Sequence, residues 1–96
     1  MLFAVTRHDR PGSLALRLSE RPIHLKYLET VLDKIVYGGA LLGDDGKQSG
    51  SILIIDVADA AAATAFADAD PYVDAGLFAG TVIRAFRPVF KDGGWL

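Results

Sequence analysis

Ile52-Leu53-Ile54-Ile55 is an unbroken aliphatic run, and the segment Thr81 to Phe90 sets Val82, Phe86 and Phe90 on positions alternate to Ile83, Ala85 and Val89. At a strand's period of two, both segments present apolar side chains on both faces. A chain built around such strands must cover each face of its sheet. With 96 residues it has material for one compact domain, 1–96, and not for two.

The order of elements says how far the chain can cover those strands by itself. Leu2 to Arg7 is a short β-prone run, closed by the turn residues Asp9-Arg10-Pro11-Gly12. Ser13 reads as the cap of a helical turn through Leu14 and Leu18 that Arg21-Pro22 interrupts, so the main helix is predicted to start near Pro22. From there Leu25, Leu28, Leu32 and Ile35 recur on one helical face, and Gly38-Gly39 supplies the stop. Ala40 to Leu42, a turn-rich loop and Ser51 to Val57 read as a hairpin. Asp59 caps a second helix, Ala60 to Ala67, and Asp70 before Pro71 caps a short turn reaching Gly76. Thr81 to Phe90 is the last strand, and Gly93-Gly94 followed by Trp95-Leu96 reads as a disordered end.

Strand, helix, strand, strand, helix, strand is the ferredoxin-like split βαβ order, an α+β fold with a four-stranded antiparallel sheet and both helices on one face. Its second face needs another cover, and the economical one is a second copy of the chain in a two-fold homodimer. Composition agrees. Apolar residues make up 51%, or about 58% when glycine is counted in and tyrosine out, above the roughly 45–50% of an ordinary soluble domain.

Other totals exclude whole classes of function. Ten Lys and Arg against twelve Asp and Glu give a net charge of −2 without a basic cluster, so no nucleic-acid partner is expected. No cysteine is present, which removes disulfides, thiolate nucleophiles and cysteine-held metals. The apolar runs fall far short of the ~20 residues that cross a bilayer, and Met1-Leu2-Phe3-Ala4-Val5 reads as a strand rather than a leader. The expectation is a soluble, cytoplasmic protein with no membrane partner.

Two histidines, His8 and His24, are too far apart in sequence for a local metal motif. A lone histidine at the start of a helix is most simply a boundary residue, and Asp70 before proline is most simply a cap. The functional alternative is that Asp70 meets the His24 imidazole, orients its tautomer and makes it a general acid or base. Ser51, beside Gly50 at the head of a strand, is either hairpin polarity or a hydroxyl lining the same pocket. Arg17 and Arg21 suit a substrate carboxylate, although solvated helix arginines are commoner. Gly38-Gly39 and Gly43-xx-Gly46 lack the phosphate-loop patterns and read as turns.

Arg21-Pro22-Ile23-His24-Leu25-Lys26-Tyr27-Leu28, the pair Gly50-Ser51, and Ala67-Asp68-Ala69-Asp70-Pro71-Tyr72-Val73-Asp74-Ala75-Gly76-Leu77-Phe78 together resemble the YciI-like (YCII-related domain) family. The likeness spans nearly the whole chain, departing from the family in a short loop before Ser51 and in the tail from Lys91. It implies a dimeric α/β barrel of ferredoxin-like protomers, related in fold to muconolactone isomerases and small cofactor-free monooxygenases. It also implies His24 and Asp70 as the catalytic pair, with Ser51 as a third pocket member and no metal or cofactor; Arg17, Arg21 and Tyr72 are further candidate substrate-binding residues. One branch of the family is similar to dehydrochlorinases of chlorinated hydroxyquinol-type compounds. The expected activity is proton transfer, by elimination, dehydrochlorination or isomerisation, on a small cyclic or aromatic-derived molecule. The alternative is a non-catalytic small-ligand-binding or accessory module.

Overall fold

A computed structural model describes residues 1–96. Strands β1 (Leu2–Asp9), β2 (Ile35–Leu42), β3 (Gln48–Asp56) and β4 (Phe78–Ala85) form one sheet in the order β2-β3-β1-β4. Every neighbouring pair is antiparallel. Helix α1 (Leu14–Thr30) joins β1 to β2 through a 3₁₀ turn at Leu32–Lys34, and α2 (Ala60–Asp68) and α3 (Pro71–Asp74) lie between β3 and β4. This is the expected ferredoxin-like α+β arrangement. No helix is long and apolar enough to cross a membrane.

Register sorts the side chains onto two faces. Toward the helices, Phe3 pairs across from Ile55, Val5 from Leu53 and Arg7 from Ser51, with Ile35, Gly38 and Ala40 continuing those rows on β2. Phe3, Val5 and Ile55 pack there against Ala63, Phe66 and Ala67 of α2 to form the core. The alanines are why this contact is close: a methyl side chain lets the helix axis settle near the sheet, and Ala63 and Ala67 are fully buried. On the helix-free face lie Ala4, Thr6, Ile52, Ile54 and Tyr37, with Val82 across from Thr6. Tyr37 is 80% exposed, Val82 47% and Ile52 39%, so in the single chain this apolar face is open.

Several boundaries differ from the sequence expectation. Helix α1 runs unbroken from Leu14, with Pro22 in its interior. Proline leaves the carbonyl four residues earlier without a partner, but that carbonyl belongs to Leu18, and both Leu18 and Pro22 are exposed, where water can take the bond. The helix also ends at Thr30 rather than Gly38. The β-branched and aromatic run Ile35-Val36-Tyr37 pairs with β3 instead, and Gly38-Gly39 lie inside β2. The stripe Leu25, Leu28, Leu32 and Ile35 nevertheless faces one shared cavity, from three successive elements.

Strand β4 stops at Ala85 instead of Phe90, ahead of Pro88, which offers no ladder donor. The tail is ordered as a hairpin of β5 (Phe90–Lys91) and β6 (Gly94–Trp95), with Phe90 opposite Trp95. Asp92 and Gly93 turn it at φ 51° and 78°, the left-handed pair that a two-residue hairpin turn requires.

Candidate functional site

Helix α1 stands off the sheet over β2 and β3 and leaves a cavity of about 340 Å³. The hollow has a cause in the side chains: past Ile35, β2 contributes only the small residues Gly38, Gly39 and Ala40 to its lining, opposite Leu25 and Leu28 of α1. Arg7, Ser51 and Leu53 complete the floor.

His24 and Asp70 meet at the edge of this cavity. His24 sits mid-helix on α1, while Asp70 is held at the α2–α3 junction by its role as a cap, its Oδ1 accepting the Tyr72 amide at 3.0 Å. The same Oδ1 lies 2.9 Å from Nδ1 of His24, with the two side chains 7% and 16% exposed. A carboxylate only accepts, so Nδ1 carries the hydrogen and the tautomer is set. The cap and the imidazole's hydrogen-bond partner are thus one residue.

Arg7 and Tyr72 hold the pair from behind. Arg7 Nη2 donates to the Ala67 carbonyl at 2.6 Å, and Nη1 sits 3.5 Å from Asp70 Oδ2. Its guanidinium carbon lies 4.3 Å from the centre of the Phe78 ring. Burial lowers the basicity of Arg7, and the nearby Asp70 and Asp68 partly offset that. The Tyr72 ring stacks on the His24 ring at 4.0 Å and 15°, fixing its plane. The Tyr72 hydroxyl donates to the Arg17 carbonyl at 3.2 Å, and burial pushes its phenol above the ordinary value. Arg17 in turn grips Asp9 through two bonds of 2.6 and 2.9 Å, which raise the basicity of Arg17.

Gly50 explains how Ser51 comes to lie beside Arg7. A Cβ on Gly50 would stand 2.2 Å from the Arg7 carbonyl oxygen, so only glycine lets β1 and β3 approach at this point. The next residue, Ser51, then faces the cavity directly across from Arg7.

Of the candidates read from the sequence, His24, Asp70, Ser51 and Arg21 line the one cavity. Arg17 and Tyr72 do not. Tyr72 is 1% exposed and Arg17 5%, and both serve as supports behind the pair. His8 lies on the helix-free face, away from the cavity. Arg7 was not singled out by sequence reasoning. Its signal was the alternation Phe3, Val5, Arg7, which puts an arginine on the inward side of a strand. No group of three or more His, Asp or Glu side chains converges anywhere in the chain.

A ferredoxin-like α+β domain with a His–Asp pair at the rim of one cavity defines the class. Within it, the chain belongs to the YCII-related domain family, which it matches over residues 1–87. It is 35% identical to Protein YciI of Escherichia coli and of Shigella flexneri, covering 94% of this chain and 100% of each relative. An uncharacterized protein of Haemophilus influenzae is 32% identical with the same coverage. Among solved structures, 5-chloro-2-hydroxyhydroquinone dehydrochlorinase (TftG) from Burkholderia phenoliruptrix, in complex with 2,5-dihydroxybenzoquinone, superposes with a TM-score of 0.85 at 40% identity. The match covers 91% of this chain and 94% of that one.

Proposed function

We propose that this protein is a small cofactor-independent enzyme that moves protons on a small cyclic or aromatic-derived molecule, with His24 as general acid and base and Asp70 as its partner. The observation that carries the reading is the 2.9 Å contact between His24 Nδ1 and Asp70 Oδ1 at a cavity. With Nδ1 committed, Nε2 is the atom left to exchange a proton with a bound molecule. In an elimination, Nε2 takes the proton while the leaving group departs with the electron pair of its own bond. Likeness to a dehydrochlorinase supports dehydrochlorination as one such reaction, with chloride as the leaving group. In an isomerisation the same nitrogen returns the proton at another atom.

Ser51 and Arg21 are the substrate-contacting side chains in this reading, since both line the cavity. The open apolar face bearing Ile52, Val82 and Tyr37 supports a homodimer joined through the sheet.

The test is turnover of a chlorinated hydroxyhydroquinone by wild type and His24→Asn, with binding of 2,5-dihydroxybenzoquinone measured alongside. A loss of about 10²- to 10⁴-fold in turnover with binding retained is expected. Undiminished turnover overturns the reading. Retained binding with no turnover by the wild type across a substrate panel favours a non-catalytic ligand-binding module instead.

A further inference from the structure

Arg7, Asp70 and His24 are shielded together, and the two bases share one carboxylate. Asp70 offers Oδ1 to His24 at 2.9 Å, while its Oδ2 lies 3.5 Å from Nη1 of Arg7. Arg7 is held where it is, with Nη2 bonded to the Ala67 carbonyl at 2.6 Å and the Phe78 ring over its guanidinium carbon. The other ionisable groups nearby are closed off or in water. Arg17, beyond the stacked Tyr72 ring, is neutralised by Asp9, and the Tyr27 hydroxyl donates to the Phe66 carbonyl. Glu20 and Arg21 precede His24 on α1 without pairing with it or with Asp70. Arg21 and Asp68 are exposed, so their charges are screened. Strands β2 and β3 bring no charged residue to the cavity.

That arrangement fixes a charge balance. A guanidinium is ionised throughout the range in which imidazole titrates, so with His24 neutral the charges of Arg7 and Asp70 cancel. Protonating His24 then leaves an excess positive charge in a place shielded from water, where charge is costly. Without Arg7 the balance inverts: Asp70 alone would face His24, and the imidazolium would be the state in which charges cancel. The state the pair favours at rest therefore depends on a residue that makes no hydrogen bond to the imidazole.

We propose that Arg7 is a positioning residue that acts through Asp70, dividing the carboxylate's charge so that the pair rests as a neutral imidazole ready to take a proton. The inference rests on the acid–base reading and deepens it by ordering its steps: removal of a proton from the bound molecule comes first, and any return of a proton follows. Burial is what makes one distant charge count, because Arg7 at 4% exposure and the Asp70 side chain at 7% interact through little water.

The experiment is an NMR titration of the two imidazoles in the full chain, comparing wild type with Arg7→Gln and Arg7→Lys. His8 is the internal control, being exposed on the helix-free face of the sheet. In Arg7→Gln the His24 midpoint is expected to rise by about half to one pH unit, with His8 moving less than half as far. Arg7→Lys keeps the charge and should titrate close to wild type. The sign separates this role from a structural one: if Arg7 only held Asp70 in place, its loss would part His24 from the carboxylate and lower the midpoint. A His24 midpoint that stays or falls in Arg7→Gln, or an Arg7→Lys variant that titrates like Arg7→Gln, overturns the proposal. If Arg7→Gln does not fold, wild type decides: the guanidinium nitrogen signals of Arg7 should move at the His24 midpoint and not at that of His8, and signals that do not move overturn it. The titration needs no turnover, so the two proposals fail separately, the acid–base reading in the turnover of His24→Asn and this one in the midpoints.

Discussion

Two arginine–aspartate pairs lie within one small domain, and they are built differently. Arg17 and Asp9 are joined by two short bonds of 2.6 and 2.9 Å, with each side chain 6% exposed. Arg7 and Asp70 are as buried, yet their closest contact is 3.5 Å, Asp70 is divided between two basic partners, and Arg7 keeps a donor unspent. The first pair is closed and fastens α1 to the end of β1. The second is held more loosely, beside the cavity and the His24 ring. Geometry therefore separates the two pairs more clearly than residue type or burial does.

That contrast predicts where damage shows. Asp9→Ala strands a buried guanidinium, and the expected cost is about 3–5 kcal/mol of stability, read as the shift of a chemical denaturation midpoint at constant slope. Asp70→Asn should cost less, about 1–3 kcal/mol, because asparagine still caps α3, while turnover falls on the order of a hundredfold or more. If Asp9→Ala instead spared stability and removed activity, the assignment of the two pairs would be reversed.

Tyr72 links the two regions, since its hydroxyl meets Arg17 and its ring meets His24. Tyr72→Phe keeps the ring and should lose about 1 kcal/mol of stability with turnover within a few-fold of wild type. Tyr72→Leu removes the stack and should lower kcat more than it raises KM, with the pH profile of turnover displaced. A Phe variant as inactive as the Leu variant would assign the hydroxyl, not the ring, to positioning.

The smallest effect is alkaline. Burial raises the phenols of Tyr27 and Tyr72, so the folded state holds their protons more firmly than the unfolded chain does. Their contribution is complete below the ordinary phenol value near 10 and is lost as pH rises through the folded value. Stability measured against pH should therefore decline above about 10, less steeply in a Tyr27→Phe, Tyr72→Phe double variant. An unchanged decline in that variant would assign it to other groups.

Much of this was legible in the sequence. The strand and helix order, the caps at Asp59 and Asp70, and the meeting of His24 with Asp70 follow from local pattern or from family resemblance. The supports were not legible, because they depend on tertiary register. Arg7 matters through Ala67 and Asp70, far along the chain, and Arg17 through a turn that brings Asp9 beneath α1. Pro22 misled the helix start because a proline's cost depends on whether the freed carbonyl reaches water, which no local pattern states. The terminal hairpin is different: Asp92-Gly93 is a turn signature that was present and outweighed by the adjacent Gly94.

The central claim is that His24 and Asp70 act as one unit at the cavity, and a double-mutant cycle on turnover tests it most directly. Groups that act together lose most of their effect with the first substitution. The account predicts that His24→Asn combined with Asp70→Asn is scarcely slower than His24→Asn alone, with the fold retained by circular dichroism. Losses that multiply, with Asp70→Asn slowing the His24→Asn enzyme as much as it slows wild type, would contradict it.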